Sequence, residues 1–383
     1  MAGYLTKRAV QIAVTLFIFF SLGFVLIQSQ PGNYCDFLLL NPNIPPDAKE
    51  GLVRLLGCDD PMWEQYLKHL RNYATGDFGV SFGLYPRSVI SVIAERLPRT
   101  IMLFVTASVI SFYLGFAMGK MIAWRRGSIT EYAATVGGVS LFTIFTPWFA
   151  LMMLWFFGLT LRWFPIGKFL DPVLWRDAPV DGNYVFTRML WSVSAVFVVL
   201  LVTKLAAARF PSLRRRWVTP AAIALSLSII AVTWNSAGLG YLAVDIIRHM
   251  ALPVATLTLI SFAGTMLLTR NCMLETMRED YVLTARAKGL SQKQVRDRHV
   301  ARNAMLPVVT SFLFSLTFAI DGGVIIETVF SWPGMGQTLV NAVRQEDIPL
   351  ALGAFVFTGL LVVAAHLVAD LFNMYLDPRL RHN

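Results

Sequence analysis

The sequence predicts an all-α integral membrane protein, because the composition is apolar and the apolar residues lie in long segments. Of the 383 residues, 56% are hydrophobic and 15% are charged, whereas a soluble domain has roughly 25% charged residues. The mean hydropathy is +0.59. A helix needs about 20 mostly apolar residues to cross a bilayer. Eight segments qualify or nearly qualify as spans: residues 10–27, 101–119, 132–158, 189–208, 217–234, 252–268, 306–326 and 350–375.

The first apolar segment follows Lys7 and Arg8, an arrangement that a secretory signal peptide shares. Its apolar run is too long for a signal, and residues 28–30 do not form a small-residue cleavage site. We therefore interpret residues 1–28 as a cytoplasmic end followed by a retained span. Residues 29–100 are then an extracytoplasmic segment, and residues 101–383 form a transmembrane domain.

The charges predict that both termini are cytoplasmic. With this orientation, the cytoplasmic side holds 20 of the 33 basic residues and six of the 23 acidic ones. Its net charge is then +14, and the rest of the chain carries −4, as the positive-inside rule requires. The overall charge of +10 thus reflects membrane topology and does not indicate nucleic-acid binding.

Two of the apolar segments flank the basic turn at residues 204–217, which carries five Lys or Arg side chains. This pattern predicts a transmembrane hairpin over residues 189–234 that turns on the cytoplasmic side and preserves the orientation of later spans. Lys204 lies near the inner end of the first helix, where its ammonium group can reach the interface. The sequence leaves open whether the hairpin packs on the other spans, on a partner or against lipid.

The extracytoplasmic segment contains an amphipathic stripe with helical spacing: Trp63, Tyr66, Leu67, Leu70 and Tyr73. Three interpretations remain open, namely a helix on the outer membrane surface, a platform for an extracytoplasmic binding protein, and simple packing onto the spans. Cys35 and Cys58 lie in the same segment, and an oxidising compartment favours a disulfide between them. Such a bond stabilises a loop of this size by about 3 kcal/mol. Cys272 lies at the cytoplasmic end of a span and is predicted to be a free thiol.

A polar and basic block at residues 279–307 interrupts the apolar segments. Its pattern predicts a short helix, a break and a second short helix, joined at a tight corner. Glu279 and Asp280 suit the positive end of a helix dipole, and Gly289 can adopt the left-handed conformation that ends a helix. Ser291 and Gln294 form a capping box for the second helix. The block is either a stiff knob for a moving partner or a basic loop attracted to anionic lipid.

The sequence TARAKG at residues 284–289, with His299 and RNAMLP at residues 302–307, resembles the cytoplasmic coupling loop of ABC importer permeases. The closest subset is the oligopeptide, dipeptide and nickel permease family. Further matching stretches are PMWEQYLKHL from residue 61, GDFGVSF from 76, ERLPRT from 95, ETVFSWPGMG from 327 and LDPRLR from 376, whereas residues near 170–248 do not match. The chain departs from the general motif at Leu283, where Glu is usual.

The resemblance implies a six-helix ABC importer permease core, to which the hairpin adds two spans. It implies that residues 271–306 form the loop that couples the chain to an ATPase. The implied coupling residues are Thr284, Ala285, Arg286, Ala287, Lys288, Gly289, Leu290, Ser291, His299, Arg302 and Asn303. The implied partners are a second homologous permease, two ATP-binding cassette subunits that bind ATP and Mg²⁺, and a periplasmic or extracellular solute-binding protein. The implied location is a bacterial inner (plasma) membrane, with the lipid bilayer as the surrounding solvent.

Charged residues inside membrane segments are costly, so each invites a functional hypothesis. Asp321 and Glu327 near the outer end of the seventh segment are candidates for lining a translocation path or an outer gate. Each is equally explained as a hydrogen-bonding group that fixes the helices. The turn VFSWPGMG follows Glu327, and the resemblance places it near the outer mouth of the path. Its Trp332 either contacts a bound partner or only caps the turn.

Catalytic motifs are absent from the sequence. There is no GxxxxGK[ST] phosphate loop, no zinc-protease spacing and no GxSxG elbow. We therefore expect a non-catalytic subunit that binds no cofactor and no metal of its own. The five histidines are scattered, which favours a peptide over nickel as the solute and leaves oligosaccharides as a further alternative. A secondary transporter and a membrane-embedded enzyme are rival hypotheses, and neither explains the capped basic block.

Overall fold

The computed structural model describes residues 2–29, 38–42, 44–58, 60–209, 217–321 and 323–376. This part of the chain is almost entirely helical, and it contains no β-strand beyond an isolated bridge between Val80 and Ser88. The helices are α1 Ala2–Gln28, α2 Pro46–Leu56, α3 Met62–Thr75, α4 Val89–Trp124, α5 Ile129–Thr143, α6 Thr146–Met153, α7 Gly182–Arg209, α8 Val218–Ser236, α9 Gly240–Thr276, α10 Asp280–Ala287, α11 Gln292–Gln294, α12 Ala301–Asp321, α13 Val324–Val329, α14 Met335–Arg344 and α15 Ile348–Leu376.

The structure supports a multi-pass membrane protein. Five helices in its described part are long and apolar enough to cross a membrane: Val89–Trp124, Gly182–Ala207, Val218–Ser236, Gly240–Thr276 and Ile348–Leu367. A bent pair of helices at residues 129–160 makes up to six, and α1 contributes a shorter apolar helix, Val10–Leu26. The number of eight spans and the cytoplasmic location of both termini therefore stay predictions.

The predicted third span, residues 132–158, is wrong as a single continuous helix. Helix α5 ends at Thr143, and the helix that begins at Thr146 is bent away from it by 104°. Pro147 explains the break, because in a continuous helix its ring would clash with the carbonyl of Thr143 and leave that carbonyl without a donor. Helix α6 then continues as a π-helix over Leu154–Thr160.

The predicted seventh span, residues 306–326, is wrong at its outer end. Helix α12 ends at Asp321, and the short helix α13 begins only at Val324. Gly323 precedes α13 with non-helical backbone angles (φ −102°, ψ 87°). Glycine has a low helix propensity, so it favours a break at this point. The apolar pattern alone does not reveal that break.

The chain divides into two compact units. The first comprises residues 1–152 and 254–383, and the second comprises residues 153–253. In the first unit, α4 packs against α12, α14 and α15, and α1 packs against α15. The rings of Phe19 in α1 and Phe355 in α15 stack with their centroids 4.7 Å apart. This unit holds both the basic block and residues 327–336, which we call the outer turn because the sequence predicts an extracytoplasmic position for them.

The amphipathic helix predicted for residues 63–73 is confirmed as α3, and part of its stripe packs on α1. The Tyr66 hydroxyl and the Ser21 hydroxyl are hydrogen-bonded at 2.7 Å, and Tyr73 contacts Phe20 edge to face. Trp63 remains 63% exposed. Packing onto the helices thus accounts for one side of the stripe but not for its exposed indole.

The second unit contains the hairpin, whose helices α7 and α8 pack against each other. The Trp234 indole donates to the Ser192 hydroxyl at 3.1 Å, and the Arg188 guanidinium donates to the Thr233 carbonyl at 2.9 Å. Both helices are long enough to span a bilayer and are mostly exposed apolar surface. The basic turn at residues 210–216 lies outside the described residues.

Candidate functional site

The basic block folds into a compact corner that follows the predicted pattern of helix, break and helix. Helix α10 ends at Ala287, and Gly289 has a left-handed φ of +75°. Its backbone N–H donates to the Arg286 carbonyl at 2.9 Å. Ser291 and Gln294 form the predicted capping box, in which the Ser291 N–H donates to the Gln294 side-chain oxygen at 3.0 Å. These local predictions are confirmed.

The second arm of the corner differs from the sequence prediction, because it is no separate short helix. Helix α11 continues as a π-helix over Val295–Val300 and then directly as α12. The helical backbone therefore runs from Gln292 to Asp321 without a loop. Pro307 lies inside it, where its missing N–H would be expected to mark a boundary. We call residues 280–300 the knob, and its second arm is a direct extension of a long apolar helix.

The inner side of the knob is a hydrophobic cluster that joins it to the ends of two long helices. Ala123 at the end of α4 and Met273 near the end of α9 are buried against Val282 and Ala285 of the knob. The other buried members of the cluster are Val295, Val300, Ala301 and Ala304, with Trp124, Met277 and Leu290 packed around them. Because packed interiors transmit displacement, this cluster fixes the knob to α4, α9 and α12.

Charged contacts reinforce the same attachment. Lys120 in the last turns of α4 pairs with Asp297 of the knob at 3.2 Å, and Arg296 donates two hydrogen bonds to the same carboxylate at 2.9 and 3.0 Å. These bonds lower the pKa of Asp297 to about 2, the Arg296 hydrogen bonds being the largest cause. The Arg286 guanidinium lies 6.0 Å from the centroid of the Trp124 indole ring.

A second ion pair fixes the helix that follows α4. Arg270 of α9 donates through Nε to the Glu131 carboxylate at 2.8 Å. The second carboxylate oxygen of Glu131 accepts the backbone N–H of Gly127 at 2.6 Å. The pair thus connects α9 to the turn between α4 and α5, on the same side of the protein as the knob.

The side of the knob that faces away from the hydrophobic cluster, its outer side, is largely exposed in the described structure. Of the predicted coupling residues, Thr284, Arg286, Ala287, Lys288, Gly289, Ser291, Arg302 and Asn303 are exposed, whereas Ala285 is buried and Leu290 and His299 are half-buried. Leu283, which replaces the usual Glu, is 56% exposed. Most of the exposed residues are polar or basic, and the buried Ala285 packs in the hydrophobic cluster.

The knob lies within the part of the chain that matches a known family. Residues 114–382 match the family model of the binding-protein-dependent transport system inner membrane component. The chain belongs to this family.

It is 27% identical over 382 residues to the oligopeptide transport system permease protein AppB of Bacillus subtilis, covering 100% of both chains. It is 28% identical over 387 residues to the dipeptide transport system permease protein DppB of Escherichia coli, covering 100% of this chain and 99% of that one. It is also 27% identical to the di/tripeptide transport system permease protein DppB of Pseudomonas aeruginosa over 382 residues, which are 100% of this chain and 99% of that one.

In this permease, Glu327 lies in the outer turn and is fully buried. Its carboxylate accepts the Thr100 hydroxyl at 2.7 Å and the Gln337 N–H at 3.0 Å. The Thr100 oxygen in turn accepts the N–H of Met335 at 2.7 Å. Glu327 therefore connects α4 to α13 and α14, which favours the structural alternative over a role in lining the path.

Trp332 is also fully buried, and its indole N–H donates to the Arg99 carbonyl at 3.2 Å. This position favours the alternative that it caps the turn. The side chain of Asp321 is not among the described ones, so its assignment to the path stays a prediction. Cys58 is disulfide-bonded and Cys272 is free, but Cys35 lies outside the described residues. The pairing of Cys35 with Cys58 therefore also stays a prediction.

The sequence interpretation missed the polar residues that pair across distant parts of the chain. The sequence gives no sign of four such residues, each of which connects two elements: Thr100, Lys120, Arg270 and Asp347. A charged residue in the last turn of a span, such as Lys120, is the usual position for interfacial lysine and carries no sign of its partner. Among the described residues, no group of three or more His, Cys, Asp or Glu side chains is arranged to hold a metal ion.

Proposed function

We propose that this chain is a permease subunit of an ATP-driven ABC importer and forms half of the translocation pathway for short peptides. A second homologous permease forms the other half, two ATPase subunits bind ATP and Mg²⁺, and a solute-binding protein delivers the peptide outside. The complex lies in a bacterial inner membrane. The three relatives are named as permeases for oligopeptides, dipeptides or di- and tripeptides, which supports peptide over nickel or oligosaccharide as the solute.

The observation that carries the proposal is the attachment of the knob. Its outer side is exposed, its inner side is packed on α4 and α9, and its second arm is continuous with α12. A ligand or partner shifts a conformational equilibrium only through contacts that differ between the two states. When the ATPase subunits close on ATP, they displace the knob, and the three attached helices tilt with it. Hydrolysis then returns the subunit to its first state.

The proposed coupling needs no chemistry from this chain. The exposed Thr284, Arg286 and Lys288 contact the ATPase, and the buried Ala285 with Val282 transmits the displacement to the helices. Lys120 and Asp297 restrict sliding of the knob along α4. This chain contacts the ATPase and transmits its displacement to the membrane helices, whereas bond cleavage in ATP takes place in the partner subunits.

The test is uptake of a radiolabelled dipeptide by vesicles containing the complete importer. ATP in the compartment of the ATPase subunits, with loaded binding protein on the other side, should drive accumulation, and a non-hydrolysable ATP analogue should not. Excess unlabelled dipeptide should compete, and Ni²⁺ or an oligosaccharide should not. Uptake that follows an imposed ion gradient without ATP would show a secondary transporter and contradict the proposal.

A further inference from the structure

A buried carboxylate at the start of the last span holds a loop of the outer segment. Asp347 is 1% exposed and precedes α15. Its first carboxylate oxygen accepts the Phe82 N–H at 2.9 Å, and its second accepts the Gly83 N–H at 2.9 Å. The Ser81 hydroxyl donates to the second oxygen as well. Three consecutive residues of the outer segment are thus bound to one side chain that is 264–266 positions away.

The loop that Asp347 binds is closed and braced by its own backbone. The Ser81 N–H donates to the Arg87 carbonyl and the Val89 N–H to the Gly79 carbonyl, both at 3.0 Å. The Leu84 N–H donates to the Ser81 hydroxyl at 3.0 Å. We call residues 79–88 the outer loop. Its buried side faces Asp347, and its tip exposes Leu84, Pro86 and Arg87.

Glycines on both sides allow the close approach of the outer loop and α15. A Cβ atom built on Gly83 would lie 3.2 Å from the Asp347 carboxylate and 2.9 Å from the Gln345 side-chain oxygen. A Cβ atom on Gly353, two turns along α15, would lie 2.5 Å from the Val89 side chain. The loop therefore contacts the start of α15 through Asp347, and Val89, the first residue of α4, packs against Gly353 of the same helix.

We propose that Asp347 is a positioning residue for capture of the solute-binding protein, because it fixes the outer loop as part of the surface on which that protein docks. The inference rests on the proposed function and names a contact region for one of its partners. The positive-inside orientation places the outer loop on the side from which a binding protein arrives. A loop already held in one conformation loses less conformational entropy on binding than a free one. Its tip exposes Leu84 and Pro86 beside the Arg87 guanidinium, which also donates to the Glu95 carboxylate at 2.6 Å.

Asparagine at position 347 separates anchoring of the loop from capping of the helix. The first carboxylate oxygen of Asp347 also accepts the Leu350 N–H at 3.3 Å and so caps α15. Asn is as good a cap as Asp, so Asp347→Asn retains this bond. The amide NH₂ cannot accept the Gly83 N–H, however, so the variant loses a charge-assisted bond to the loop.

The experiment measures ATP hydrolysis by the complete importer in lipid nanodiscs against the concentration of its solute-binding protein loaded with dialanine. For Asp347→Asn we expect the concentration for half-maximal stimulation to rise about tenfold, the size of one charge-assisted hydrogen bond. The maximal rate at saturating binding protein should stay unchanged. Gly83→Ala, which displaces the loop without altering the carboxylate, should raise the half-maximal concentration in the same direction.

Asp77→Asn is the matched control, because Asp77 precedes the loop and its carboxylate accepts only the Gly79 N–H at 3.0 Å among the described bonds. It should leave the half-maximal concentration unchanged. If Asp347→Asn does not assemble into the importer, the half-maximal concentrations of Gly83→Ala and Ser81→Ala test the proposal in its place.

An unchanged half-maximal concentration, a fall in the maximal rate alone, or an equal effect of Asp77→Asn would overturn the proposal. A loop that rests on lipid would instead leave this concentration unchanged and make the basal rate depend on lipid charge. A wild-type importer that no binding protein stimulates would contradict the proposed function itself.

Discussion

The ammonium group of Lys120 lies 3.2 Å from the Asp297 carboxylate, an ion pair that joins the last turns of α4 to the second arm of the knob. Both side chains are partly exposed, so the pair itself contributes on the order of 0.5–1 kcal/mol. Its importance is geometric, because it adds a lateral contact to an attachment that is otherwise hydrophobic. A force on the knob therefore moves α4 together with α12.

We predict a coupling energy of about 0.5–1 kcal/mol between Lys120→Met and Asp297→Asn in a double-mutant cycle of thermal unfolding. Because the folded pKa of Asp297 is about 2, below its ordinary value of 3.8, its contribution is complete above about pH 5 and is lost as the pH falls through 2. Between pH 5 and 8 the coupling energy should be constant. A coupling energy of zero, or one that changes across this range, would contradict the assignment.

Substitutions at Gly289 should impair transport in the order of their backbone strain. A Cβ atom here meets no heavy atom within 4 Å, so the defect comes from the φ of +75° and not from a clash. A left-handed conformation costs a non-glycine residue about 1–2 kcal/mol, and Asn tolerates it better than other residues. Uptake of labelled dipeptide should therefore decrease from Gly through Asn and Ala to Val.

The Asn and Val variants are similar in size, so they separate strain from bulk. Gly76, with φ of +80° and equally open surroundings, lies outside the knob and provides the control Gly76→Val. This control should retain the ratio of uptake to ATP hydrolysis, whereas Gly289→Val should hydrolyse ATP without uptake. Equal losses for Asn and Val at position 289 would point to side-chain contact and not to conformation.

Removal of the Thr100 hydroxyl should destabilise the outer turn. Thr100→Val preserves the shape of the side chain, but it leaves the buried Glu327 carboxylate and the Met335 N–H each without one partner. A buried group left unsatisfied costs about 1–3 kcal/mol. We expect a lower midpoint of thermal unfolding for Thr100→Val and a nearly unchanged one for Thr100→Ser. If the two variants unfold at the same temperature, the hydroxyl does not hold the turn.

The predicted disulfide between Cys35 and Cys58 can be tested by counting the free thiols of the protein. Under denaturing conditions without reductant, a maleimide should label only Cys272, and after reduction it should label all three cysteines. Cys35→Ser and Cys58→Ser should each lower the stability of the outer segment by about 3 kcal/mol, and the double variant should add nothing further. Labelling of Cys58 without reductant, or additive effects of the two substitutions, would exclude the pairing.

Features encoded by neighbouring residues were predictable, and those that depend on distant pairs were not. Gly289 and the Ser291–Gln294 pair act within a few positions, so the corner of the knob could be read from the sequence. Pro147 also indicates a break, but it lies within a long apolar run that favours a single continuous span. The contacts between Lys120 and Asp297, Thr100 and Glu327, and Ser81 and Asp347 join residues 177 to 266 positions apart. No local pattern marks such partners, because tertiary packing alone brings them together.

Accessibility and cross-linking of a cysteine at Lys288 test the central claim most directly, in a Cys272→Ser background with Leu84→Cys as the outer control. We expect the cysteine at position 288 to react with an impermeant maleimide only from the cytoplasmic side and to cross-link to an ATP-binding subunit in the assembled importer. The cysteine at position 84 should react only from the opposite side. Reaction of position 288 from outside, or no cross-link to the ATPase in an importer that transports, would contradict the role of the knob.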